Sequence, residues 1–113
     1  MDLGRFELCL NVADLWTSVD FYEKLGFVPV RGSMSEGWRI MAISGVTIAP
    51  YGGHIPANQL NFRGQDVFVL AKQLEANGLK FVTKANIEPD GSIGAVLLDP
   101  DGNQIYLNTA TDE

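Results

Sequence analysis

The chain repeats its own plan, and that duplication constrains its fold more than any other feature. Leu10-Asn11-Val12 runs into Asp14, which stands before an apolar periodic segment that stops at Gly26. Roughly 50 residues on, Leu60-Asn61-Phe62 runs into Asp66 and a second such segment that stops at Gly78. An acidic N-cap, a helical apolar stripe and a terminal glycine are the start and stop signals of a helix. A single helix can cover only one face of a sheet, so two such units must meet to shield the other face, which becomes a curved cleft.

The pattern predicts two βαβββ units in one domain of residues 1–113, spanning about 1–51 and about 58–113. In the first, Phe6, Leu8, Leu10 and Val12 alternate with Glu7, Cys9 and Asn11, which gives a half-buried strand over 6–12. A helix over about 15–25 turns Leu15, Val19, Tyr22 and Leu25 inward, and strands follow near 27–31, 37–43 and 46–51. Tyr51-Gly52-Gly53-His54-Ile55-Pro56-Ala57 is a run of breakers and serves as the linker. In the second unit a strand at 58–63 sets Leu60 and Phe62 opposite Gln59, Asn61 and Arg63. A helix from Asp66 to about 77 carries Val67, Leu70, Ala71 and Leu74, and strands follow near 79–84, 92–98 and 104–108. The fold class is therefore α+β, with about eight strands in a curved mixed sheet.

Charge and composition narrow the partners. Fourteen acidic residues face eight basic ones, for a net charge of −6, and no Lys/Arg cluster exists, so electrostatics oppose nucleic-acid binding. The same field favours a cationic small molecule. No apolar run is long enough to span a bilayer, and the N-terminus lacks the basic-then-apolar pattern of a secretory signal. A single cysteine, Cys9, forms no internal disulfide. These features predict a cytoplasmic protein without membrane partners.

Near the C-terminus, Leu97-Leu98-Asp99-Pro100-Asp101-Gly102-Asn103-Gln104-Ile105-Tyr106-Leu107 reads as a hairpin. Pro100 presets its own φ, and Gly102 or Asn103 takes the positive φ that the turn needs. Together with Asp20-Phe21-Tyr22-Glu23-Lys24-Leu25-Gly26-Phe27, this stretch resembles the vicinal oxygen chelate superfamily of glyoxalases, bleomycin-resistance proteins and extradiol dioxygenases. The resemblance covers nearly the whole chain. It implies a glyoxalase/bleomycin-resistance-like fold, a homodimer, and a ligand cavity lined by the sheet face away from the helices. From the alternation alone that polar face is either a solvated surface or a cavity wall.

The resemblance also implies where a metal would sit. Metal-dependent relatives place ligands on the first strand, at Glu7 here, on the strand opening the second unit, at Gln59, and on the last strand, where Tyr106 replaces a Glu. A fourth ligand of the glyoxalase branch falls near Ala49 or Tyr51. Glu7 is a sound oxygen ligand and Gln59 a weak one. A neutral phenol with a pKa of ~10 is a poor ligand. Iron-dependent dioxygenase chemistry calls for two histidines and a carboxylate, whereas this chain has one histidine, His54, off the strand register.

The expectation is thus a domain that binds a cationic or polar organic ligand without a tightly held metal, as bleomycin-resistance-like proteins do. Its candidate ligand-binding residues are Glu7, Cys9, Asn11, Trp38, Tyr51, Gln59, Asn61 and Tyr106, with no catalytic residue assigned. The alternative is a metal-dependent glyoxalase-like lyase or isomerase that uses Glu7 and Gln59 with Zn, Ni, Mn or Mg. A ligand-sensing domain without catalysis is a third possibility.

Overall fold

In the computed structural model, which describes residues 1–110, both predicted N-caps do their work. The Asp14 carboxylate accepts from the Thr17 backbone N–H at 3.2 Å, and Asp66 accepts from Val69 N–H at 3.2 Å. Such a cap is worth about 0.5–2 kcal/mol because it satisfies an orphan donor of the first turn. The helices that follow are α1 (Leu15–Leu25) and α2 (Val67–Ala76). Gly26, at φ 118°, closes α1 in the left-handed region that its missing Cβ permits.

Eight strands accompany the helices: β1 (Arg5–Val12), β2 (Val28–Ser33), β3 (Trp38–Ile43), β4 (Val46–Gly52), β5 (Gln59–Arg63), β6 (Thr83–Ile87), β7 (Ile93–Leu98) and β8 (Gln104–Asn108). The architecture is α+β with mixed pairing. The chain divides into two compact units. Unit I is Glu7–Asn58, and unit II joins Met1–Phe6 to the chain from Gln59 on.

Each unit repeats one topology. In unit I the order is β2-β3-β4-β1, an antiparallel meander that ends on β1 running parallel to β4. In unit II the order β6-β7-β8-β5 is built the same way, with β5 parallel to β8. Helix α1 buries Leu15 and Val19 against Met41 and Ile48, with Leu8, Leu10 and Tyr22 packed around them. Helix α2 buries Val67 and Leu70 against Ala95, Leu97 and Leu107, joined by Phe62 and Ile105. Each of these large side chains contributes about 1.5–3 kcal/mol by leaving water.

Three expectations fail locally. Leu25 is 59% exposed rather than inward, because a residue ten positions after Leu15 lies roughly 80° off the stripe of Leu15, Val19 and Tyr22. Its helix neighbour Phe21 is exposed and sits edge-on to Tyr22. Phe6 is also largely exposed; it packs on Phe62 at 5.3 Å between ring centroids, within unit II. Strand β6 begins at Thr83, four residues later than the pattern near 79–84 suggested. Phe81 is used to pack against the unit II core, and a bulge between Thr83 and Asn86 breaks the alternation that a sequence pattern needs.

Candidate functional site

In each unit the sheet face away from the helix gathers the candidate residues. In unit I, Leu8 pairs with Ile48 beneath α1, so Cys9 and its neighbour Ala49 point the other way. Cys9, Ile40 and Ala49 form a second small core on that face, with Trp38, Tyr51 and Ile55 over it. The Trp38 and Tyr51 rings lie within 15° of parallel at 6.3 Å between centroids. His54 meets Tyr51 edge-on and approaches the Glu36 carbonyl through Nε2, so the lone histidine belongs to the loop structure beside this aromatic pair. Glu7 shares the face by alternation and is 3% exposed. Asn11, in register with Tyr51, is exposed, and its backbone N–H donates to Asn58 Oδ1 at 2.8 Å.

In unit II the corresponding face is polar. Leu107 and Ile105 pack toward α2, which leaves Gln104, Tyr106 and Asn108 on the other side. Gln59 donates through Nε2 to Gln104 Oε1 at 3.1 Å. Asn61, in register with Tyr106, is buried. Asn108 Nδ2 donates to the Tyr106 hydroxyl at 2.7 Å, and that hydroxyl donates to Glu88 Oε2 at 3.2 Å. Asn108 also accepts from Ala110 N–H and donates weakly to Ser92 Oγ, which fixes its orientation. Burial first, and then the nearby Glu88 and Asp90 carboxylates, outweigh the bond from Asn108, so the Tyr106 pKa is pushed up to about 12. Tyr106 is a neutral phenol.

Glu88 and Ser92 were missed by the sequence reading. Both lie in the turn after β6, and the misplaced strand left that turn without a register. Gly94 was a legible signal: a methyl group there would overlap the Glu88 carboxylate and the Tyr106 hydroxyl. The turn at Asp99–Asn103 behaves as its sequence predicts. Asp99 accepts from the Asn103 side-chain amide at 2.7 Å and from the backbone N–H groups of Asn103 and Asp101, and these bonds lower the Asp99 pKa, while Gly102 takes φ 89°. An open hollow of about 480 Å³ lined by Asp2, Gly4, Arg5, Arg63, Gly64 and Gln65 contains none of the candidate residues. Asp2 there is already engaged by Gly4 and Gln65.

A family model described as the Glyoxalase/Bleomycin resistance protein/Dioxygenase superfamily matches residues 4–107. The chain belongs to that superfamily. Among solved structures it is similar to a Legionella pneumophila protein described as an NAD-dependent benzaldehyde dehydrogenase, at 15% identity and TM-score 0.77, over 92% of this chain and 97% of that one. A superfamily member from Vibrio splendidus 12B01 matches at 16% identity and TM-score 0.68, over 92% and 97% of the two chains. A hypothetical protein from Bacillus halodurans C-125 matches at 12% identity and TM-score 0.66, over 95% and 94%. Identities this low establish the fold alone. No curated protein matches the chain.

The superfamily's metal-dependent members raise the question of whether these side chains suit a divalent ion. They do not. Gln59 offers only a neutral amide oxygen, a weak ligand, and Tyr106 keeps its proton and donates it to Glu88. Of the three positions only Glu7, in unit I, is a carboxylate. Among the described residues no three His, Cys, Asp or Glu side chains gather to hold a metal. No helix among them is long and apolar enough to cross a membrane.

Proposed function

We propose that this chain is a small-molecule-binding member of the superfamily, akin to its bleomycin-resistance branch, that holds a cationic or polar organic ligand without a tightly bound metal. Tyr106 carries this reading. The position at which the resemblance implies a metal-closing carboxylate holds a phenol that is kept neutral and turned toward Glu88. Supporting it are the net charge of −6, the buried Glu7 carboxylate and the Trp38–Tyr51 pair, whose ring faces attract cations. The ligand-contacting residues in this proposal are Glu7, Cys9, Asn11, Trp38 and Tyr51 of unit I and Gln59, Asn61 and Tyr106 of unit II. The protein works as a cytoplasmic homodimer, and its partners are the ligand and its own second copy.

Elemental analysis of untagged protein, paired with calorimetric titration of metal-free bleomycin, tests the proposal. The expected result is saturable binding by protein that carries far less than one metal ion per chain. Stoichiometric Zn, Ni or Mn that survives dialysis, and that Glu7→Gln removes, would establish the metal-dependent lyase or isomerase instead.

A further inference from the structure

Asn61 Oδ1 is a buried carbonyl oxygen with no hydrogen-bond partner among the described residues. Leaving such an acceptor unpaired carries its full desolvation penalty in the free protein. Native proteins seldom keep that cost without a compensating use. On the neighbouring strand, in register with Asn61, stands Tyr106, and its hydroxyl is tied to Glu88. Glu88 comes from the turn beyond β6 and reaches this face only because Gly94 leaves the space above the sheet empty. Asp90 adds a second carboxylate in the same turn, held by the Ser92 hydroxyl at 2.7 Å. The last strand has no acid at Tyr106, but the adjoining turn brings one to the same face.

Resting on the metal-free ligand-binding reading above, we infer that Asn61, Tyr106 and Glu88 form a recognition subsite for a protonated nitrogen group of the ammonium or amidinium class. Asn61 is the floor of this subsite, while Tyr106 and Glu88, both partly exposed, are its rim. The atoms offered to a ligand are acceptors: the amide oxygen of Asn61 and the carboxylate of Glu88. The Tyr106 hydroxyl is already supplied by Asn108 and spends its own proton on Glu88, which holds the carboxylate in place. A hard divalent cation needs about six oxygen ligands, more than this set provides. An ammonium or amidinium presents a few N–H donors and one positive charge, which two acceptors and a net negative turn can satisfy. The ligand's N–H then pairs the oxygen that the empty protein leaves unpaired.

Ligand-observed NMR titration of the full chain with benzamidine, with benzoate as the anionic control, tests the subsite. Benzamidine should bind and benzoate should not. Glu88→Gln should weaken benzamidine about tenfold, and Asn61→Leu should weaken it about five- to tenfold. Asn61→Leu should also leave the urea midpoint unchanged or raise it, because it removes an unpaired buried acceptor. A lowered midpoint or a failure to fold would mean that Asn61 has a structural partner such as a buried water, and would overturn its role. Equal binding of benzoate, no binding of benzamidine, or benzamidine binding untouched by both variants would overturn the subsite. If bleomycin still binds metal-free protein in those cases, the subsite alone falls. If stoichiometric metal is found, the functional reading falls with it.

Discussion

Tyr106 donates its phenolic proton to Glu88 across 3.2 Å, above the bare backbone of Gly94. Eighteen positions separate the two residues, and a hairpin brings them together. Burial and this bond together set what kind of group the last strand presents. Burial first, and then the Glu88 carboxylate, keep the phenol protonated, and a protonated phenol is a hydrogen-bond donor and a poor metal ligand.

Gly94→Ala should break the Tyr106–Glu88 bond at little cost to the fold. The added methyl overlaps the Glu88 carboxylate and the Tyr106 hydroxyl, and the half-exposed Glu88 side chain can swing its carboxylate away from the sheet. The urea midpoint should therefore fall by the equivalent of less than about 1 kcal/mol, while the Tyr106 phenol, without its carboxylate partner, should titrate at lower pH in an ultraviolet titration. A phenol titration identical to the wild type would show that Glu88 does not rest over Gly94.

Tyr106 links stability to alkaline pH. Its folded pKa of about 12 exceeds the ~10 of an unfolded tyrosine, so the native state holds the proton more tightly. The resulting stabilisation is complete below pH ~10 and is lost as pH rises toward about 12. Denaturation midpoints across that interval should fall more steeply in the wild type than in Tyr106→Phe. Parallel curves would refute the shift.

Asp66→Ala should destabilise the protein by about 1 kcal/mol through loss of the α2 cap, whereas Asp66→Asn, whose amide oxygen still accepts from Val69 N–H, should be nearly neutral. Thermal or urea melts of the two variants separate capping from charge.

Trp38→Ala should weaken a cationic ligand by about threefold to thirtyfold, the range of one cation–π contact. Calorimetry with metal-free bleomycin gives the comparison, and an unchanged affinity would remove the Trp38–Tyr51 pair from the binding face.

Sedimentation equilibrium at micromolar concentration should give about twice the 12.3 kDa chain mass. Exposed Val28 and Val30 on β2 and Val82 and Ile87 around β6 are apolar groups on outer strands, a liability that pairing with a second copy relieves. A monomer across the whole concentration range would refute the dimer.

The helices and their caps, the repeated strand order and the hairpin at Asp99–Asn103 were all legible, because each depends on residues close in sequence. Asp14 needs only Thr17, and Asp99 needs only Asn103. Alternation also assigned faces correctly where strands are regular, which is why Cys9 and Tyr106 lie opposite the helix-facing residues Leu8 and Leu107. It failed at β6, where the bulge between Thr83 and Asn86 interrupts the period of two. It failed again at Leu25, where a helical stripe had drifted off the buried face by the last turn.

Sequence by itself thus determined the superfamily fold, the repeated order of strands and helices and the polar or aromatic character of the faces turned away from the helices. Local patterns carry that information, since the periods of helix and strand reach only a few residues. The tertiary structure alone decided that Glu88 reaches Tyr106, that Gly94 makes room for it, and that Asn61 Oδ1 is left without a partner among the described residues. Those facts depend on strand register and on a turn folding back over a sheet. Contacts between side chains distant in sequence leave no periodic trace in the sequence that brings them together.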